Sequence, residues 1–238
     1  MRAKEFLSRK KIDFVAVDVL NDASGRAALL KLGVRNVPVV AKGDRYVFGQ
    51  NLEDVAEFVG LQGTGHKPLP PAQLIVKWVE VLRVAQSHVR QVPDARLAER
   101  VIDNRDRSIR LMGHHVFRIG EAFLETVVDG VEYAVQLANI PPADGTFTTS
   151  EDIAQYGEAV ISRLQRWWES LDDKSCTVQI KTFFGMQPVH MLLERSTWHS
   201  AQHARQLAAV LERYGIPPRA RLTPELLAGL PLPERLWE

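Results

Sequence analysis

"TWHSAQHARQL", residues 197–207, sets two histidines four apart in a run of good helix formers. The longer segment "PVHMLLERSTWHSAQHARQLAAVLERYG", residues 188–215, has Pro188 near its start and Gly215 at its end, the punctuation of one long helix. At about 100° per residue, Leu192, His199, His203, Gln206, Val210 and Tyr214 fall in one sector of roughly 80°. Both imidazoles therefore face whatever that helix packs against.

Three further segments read the same way. "AQLIVKWVEVLRVAQSHVRQ" (72–91) puts Leu74, Trp78, Val81, Leu82, Ala85 and Val89 on one stripe, and Pro93 limits it. "RSIRLMGHHVFRIGEAFLETVV" (107–128) does so with Ile109, Met112, Val116, Ile119 and Phe123. "TTSEDIAQYGEAVISRLQRWWESLD" (148–172) opens on a Thr or Ser cap. "KSCTVQIKTFFG" (174–185) is extended and β-branched. Four long amphipathic helices predict an up-down bundle, where ligand and metal sites form between facing helices.

On the second of these helices His115 lies roughly 80° from the centre of the stripe and His114 nearly opposite. The phase predicts His115 inward and His114 facing solvent. Three inward histidines on two helices can meet on one metal. Imidazole suits zinc first, with nickel, iron or copper as alternatives, and three protein ligands leave a position open for water or substrate. Gln206, one turn beyond His203, is placed to orient a ligand. The competing reading is a buried pair that hydrogen-bonds carbonyls or acids in the core.

The first stretch has another character. "RAKEFLSRK" (2–10) is helical in period, and "IDFVAVDV" (12–19) alternates as a strand does. "DASGRAALLKLG" (22–33) is a short helix ended by Gly33. "VRNVPVVAKGDRYVFG" (34–49) carries two short runs around "KGD", a hairpin signal. "NLEDVAEFVG" (51–60) is a closing helix with Asn51 as N-cap. The Gly- and Pro-rich stretch after it marks a linker. The expected organisation is an α/β domain over 1–61, a linker over 62–71 and an all-α domain over 72–238.

The chain has 238 residues, 45% hydrophobic and 25% charged, with a net charge of +1. No global field argues for nucleic acid or an anionic membrane. No apolar run approaches the ~20 residues that span a bilayer, and the basic N-terminus lacks the apolar core of a signal peptide. One cysteine, Cys176, excludes an intrachain disulfide. It sits in a β-like run with no basic neighbour, as a small buried hydrophobe does. A cytoplasmic location is expected.

The residues His115-Val116, then Trp198, His199 and His203 with the trailing Arg205-Gln206-Leu207, and the lead-in "FFGMQPVHMLLER", resemble the DinB-like superfamily of metal-binding four-helix bundles. The resemblance covers residues 72 to about 238. It implies that His115, His199 and His203 hold a divalent metal. It also implies similarity to bacillithiol transferases and mycothiol-dependent maleylpyruvate isomerase, in which the metal activates a thiolate or water.

The first stretch resembles glutaredoxin, a thioredoxin-fold family, through "RAKEFLSRKKIDFVAVDV", "LGVRNVPVV" and "FGQNLEDVAEFVG". That resemblance implies a cis proline at Pro38 and glutathione contacts near Val37, Pro38 and Asn51. The chain begins directly where the family's Cys-x-x-Cys motif should have ended. It therefore lacks the first strand and both catalytic cysteines of that pattern.

Together the readings imply a metal-dependent enzyme that uses a small thiol, glutathione, on an electrophile in transfer or isomerisation. The rivals are a non-catalytic, dimeric metal-binding stress or interaction protein, and a hydrolase that uses water.

Overall fold

A computed structural model describes residues 2–19, 21–102 and 106–237. It divides into two compact units. One runs up to Lys67 and includes Pro233–Leu236, and the other comprises Pro68–Leu232 with Trp237.

The first unit has the order α1 (Arg2–Arg9), α2 (Ala23–Lys31), β1 (Val39–Lys42), β2 (Arg45–Phe48) and α3 (Leu52–Phe58). Local chemistry sets each boundary. Asp22 accepts from the backbone N–H groups of Ser24 and Gly25 and caps α2. Gly33 follows α2 at φ +72, where a Cβ would be strained. The hairpin pairs Lys42 with Arg45 and turns at Gly43, which has φ +62. Asn51 accepts from Glu53 N and caps α3.

A small core joins Phe6 and Leu7 of α1 to Val55 and Ala56 of α3, with Ile12, Val40 and Val47 packed around it. The strand expected over 12–19 does not form. Residues 12–18 carry no regular structure, no strand pairs with them among the described residues, and Phe14, Val15 and Val17 are exposed. Alternation shows what a segment could pair as. A ladder also needs a neighbour, and the hairpin forms a sheet of two strands by itself.

The second unit is the bundle: α4 (Pro71–Gln91), α5 (Ile109–Val127), α6 (Ser150–Ser170) and α7 (Val189–Arg213). The short α8 (Pro224–Leu227) follows. Ser108 caps α5, and Thr149 with Asp152 forms a reciprocal capping box on α6. The stretch read as simply extended before α7 is a hairpin, β3 (Gln179–Thr182) and β4 (Gly185–Pro188). Both α4 and α5 pack on α6 and α7, so α4 faces α5 across the diagonal.

The stripe residues Leu74, Trp78, Val116, Ile119, Phe123, Leu192 and Val210 are all fully buried. Phe123 sits edge-on to Trp78 at 5.2 Å and to Trp167 at 4.9 Å. Trp78 Nε1 donates to Ser200 Oγ at 3.0 Å, and Ser200 Oγ donates to Val116 O at 3.2 Å. That relay ties α4, α7 and α5 beside His199.

Candidate metal centre

His199 and His203 lie one turn apart on the inward stripe of α7, with His115 opposite them on α5. Their Nε2 atoms are 3.1 Å apart. The His115 ring centroid is 4.8 Å from that of His203 and 5.3 Å from that of His199. One nitrogen from each ring lies within 4.8 Å of the other two. Two nitrogens on a tetrahedral zinc ion, each bonded at ~2.0–2.1 Å, sit roughly 3.3 Å apart. The His199–His203 pair is close to that spacing, and among the described residues the cluster includes no fourth His, Cys, Asp or Glu.

The rear nitrogens explain the convergence. His115 Nδ1 donates to Ala138 O at 2.8 Å. His203 Nδ1 donates to Gln206 Oε1 at 2.7 Å. Each contact fixes the Nδ1–H tautomer and leaves an Nε2 lone pair directed inward, the arrangement that orients histidine ligands in metal sites. Gln206, one turn beyond His203, is thus the residue that meets the rear of that ring. Burial holds the pKa of His115 well below the ordinary 6.5, and the charges of His203 and Arg107 push the same way. Burial does the same to His199, followed by the charges of His203 and Arg195. Both are neutral imidazoles at neutral pH, so a metal has no proton to displace from either as a cation.

Behind His115 stands a clamp that sequence reasoning missed. Arg118, 4% exposed, donates from Nε to Leu137 O at 3.0 Å and binds Glu125 through two bonds of 2.7 and 2.8 Å. It also donates to Glu121 at 2.8 Å, and Glu121 accepts from Tyr156 Oη at 2.5 Å. Burial would raise the Glu121 pKa, but Tyr156 and Arg118 outweigh it and hold the carboxyl below its usual range. The clamp secures the 3-10 turn Leu137–Asn139, whose Ala138 carbonyl orients His115.

His114 is not the solvent-facing neighbour that helical phase predicts. It is 6% exposed, stacked on Tyr156 at 5.2 Å and tilted against Phe147 at 5.4 Å. The reason is that α5 packs on α6 as well as α7, so it has no solvent side at this level. Burial, then the charge of Arg118, lowers the His114 pKa to about 4. A cleft lined by Val101, Ile102, Arg107, Met112, Gln206 and Trp237 lies one turn from the triad on both α5 and α7.

In the first unit, the Val37–Pro38 peptide bond is cis. Gly49 N donates to Pro38 O at 2.8 Å and Gln50 Nε2 donates to Val37 O at 3.2 Å. These bonds bring residues 37–38 beside 49–51, while the Asn51 side chain serves as the cap of α3.

Comparison with known proteins gives two likenesses, one for each part of the chain. Residues 1–47 match the family model for glutaredoxin. No curated protein matches the chain significantly. Among solved structures, YfiT from Bacillus subtilis superposes with a TM-score of 0.50 at 15% identity, over 63% of this chain and 94% of that one. YfiT is described as a probable metal-dependent hydrolase with an unusual four-helix bundle topology. The chain is thus a glutaredoxin-like segment followed by a four-helix bundle with the fold of YfiT, the fusion expected from the two resemblances.

Proposed function

We propose that the chain is a metal-dependent enzyme of the DinB-like class. In this reading it transfers or isomerises an electrophilic small molecule with a low-molecular-weight thiol, glutathione, as co-substrate. The observation that carries it is the convergence of His115, His199 and His203, two of them with the rear N–H tied to an acceptor. The donor set fits zinc, with nickel or iron as alternatives. A divalent ion there supplies Lewis acidity and lowers the pKa of a thiol or water.

The chain's own residues do the rest. Ala138 O and Gln206 Oε1 hold two rings in the ligating tautomer. Burial keeps His115 and His199 neutral, and a three-residue ligand set leaves room for a small molecule. The thiol reading draws on the glutaredoxin-like segment, where Val37, Pro38 and Asn51 are the glutathione-contact candidates. No helix among the described residues is long and apolar enough to cross a membrane.

Cobalt tests the reading, because thiolate coordination adds a near-ultraviolet charge-transfer band. Glutathione should produce that band with the cobalt-loaded protein and not with His199→Ala. A second reading, hydrolysis by water, is favoured by the fold shared with YfiT. It predicts turnover with no added thiol. No band together with thiol-independent turnover would replace the transferase reading by the hydrolase one. No exchangeable position on the metal would leave a structural metal protein.

A further inference from the structure

Arg195 lies one turn before His199 on α7. Its guanidinium carbon is 5.9 Å from the ring centroids of both Tyr133 and Trp198. Its Nη1 is 3.5 Å from His199 Nδ1. No carboxylate pairs with Arg195 among the described residues, and its Nε–H is buried with no acceptor. Arg118, the other arginine close to the triad on a bundle helix, has two carboxylates and a carbonyl. A half-buried cation with a shielded, unused donor is costly unless something binds it.

The Tyr133 side of the site is firmly placed. Tyr133 N donates to Lys181 O at 3.1 Å, and Phe183 N donates to Tyr133 O at 3.0 Å, so β3 holds it. Its hydroxyl is a second buried group without a partner.

The third histidine sharpens the argument. His115 and His203 each have an acceptor behind Nδ1, whereas His199 has a guanidinium there. As the structure stands, His199 Nδ1 accepts from Arg195 and His199 Nε2–H donates to His203 Nε2. With a metal held on Nε2, the ring proton would have to sit on Nδ1 and would face Arg195 as donor against donor. An oxygen anion that accepts from both removes the conflict. It would supply the rear carboxylate that metal-bound histidines commonly have and that no described residue provides for His199.

We propose that Arg195, with the Nδ1–H of His199, binds a carboxylate of the small-molecule substrate between the rings of Tyr133 and Trp198. The substrate is then an organic acid whose reactive group reaches the metal. A planar carboxylate matches the guanidinium fork. The His199 donor and the reach to the metal rest on the metal reading, whereas the Arg195 half of the site does not.

The test uses the full chain and simple probes. On the cobalt-loaded protein, 3-mercaptopropionate should bind at least about tenfold more tightly than its neutral amide, read from the charge-transfer band. Arg195→Gln should abolish that preference, and Arg195→Lys should retain part of it. On the metal-free protein, propionate should shift the Arg195 Nε–H resonance in a nitrogen-15 spectrum. Equal binding of acid and amide by the native protein would overturn the anion site while leaving the metal reading intact. No band with either thiol, but a propionate shift at Arg195, would sustain the anion site and remove the thiol. Tighter binding of inorganic phosphate than of propionate would overturn the carboxylate assignment.

Discussion

The carbonyl of Ala138 and the Nδ1 of His115 are 2.8 Å apart, which makes a loop backbone atom the orienting partner of a helix-borne imidazole. The turn that carries Ala138 is held in turn by Arg118 through Leu137 O. Replacing Arg118 by Met should therefore act twice. Glu125 loses its cation and Glu121 keeps only the more distant Arg163, at a cost of about 2–3 kcal/mol, less than for a fully buried pair because both keep some exposure. His115 loses its fixed tautomer, and metal affinity should fall roughly tenfold or more. Competition with a chromogenic chelator reads the second effect. Unchanged affinity in a folded Arg118→Met protein would separate the clamp from the metal.

The two adjacent histidines of α5 should behave differently. His115→Ala removes a ligand and should abolish metal retention. His114→Ala removes a ring that Tyr156 and Phe147 stack on, and should lower stability by about 1–3 kcal/mol while sparing the metal. Elemental analysis of both purified variants decides this. Loss of metal in the His114 variant at full folding would contradict the assignment.

Gly157 of α6 is a contact point with α5. A Cβ there would lie 2.6 Å from Cε1 and Cζ of Phe117, a ring with no solvent exposure into which to move. Alanine gains up to about 1 kcal/mol of helix propensity, but overpacking a tight core costs about 1–3. We expect Gly157→Ala to lose about 1–2 kcal/mol net, seen as a Tm lower by roughly 2–8 °C. A rise in Tm would show that the α5–α6 interface relaxes easily.

Much of the centre is legible in the sequence because it lies on helices, where angle follows from position. His199, His203 and Gln206 share the α7 stripe with Leu192 and Val210; all but His199 are buried, and the half-buried His199 ring meets His115 across the helices. The same arithmetic misplaced His114, since it assumes a helix with one buried face. Segment 12–19 alternates as a strand but has no strand to pair with among the described residues. Arg118 and Arg195 read in the sequence as members of a scattered, solvated charge population. Only packing shows that Arg118 is clamped by two carboxylates and that Arg195 has none among the described residues. The Ala138 carbonyl carries no sequence signal at all, because any residue supplies the same atom.

Cys176 should be a poor nucleophile. It is the single cysteine, it is buried, and burial followed by the nearby Asp173 charge raises its pKa. Thiol–disulfide exchange needs an accessible thiolate. The native protein should therefore not reduce a glutathione mixed disulfide in a glutaredoxin assay, and its thiol should label slowly until denaturant is added. Rapid labelling of the folded protein would show that Cys176 is accessible.

Acid should destabilise the metal-free protein earlier than its carboxylates alone would dictate. Burial is the first cause holding the pKa values of His88, His114, His115 and His199 below 6.5. Below pH 6.5 the unfolded chain therefore binds protons that the folded chain refuses. Stability rises with pH wherever the unfolded state binds more protons, so it should be level above about 6.5 and decline as pH falls below it. For His114, with its pKa lowered to about 4, the decline runs from about 6.5 to about 4 and amounts to about 3 kcal/mol at the acid end. His114→Phe keeps the stack on Tyr156 and removes the proton site. Urea melts at pH 7.5 and 5.0, with chelator present, should show a smaller loss of stability on acidification for this variant than for the native protein. Equal losses in the two proteins would mean that His114 is protonated in the folded state at pH 5.0, and its burial against Phe147 and Tyr156 would then not be what excludes the charge.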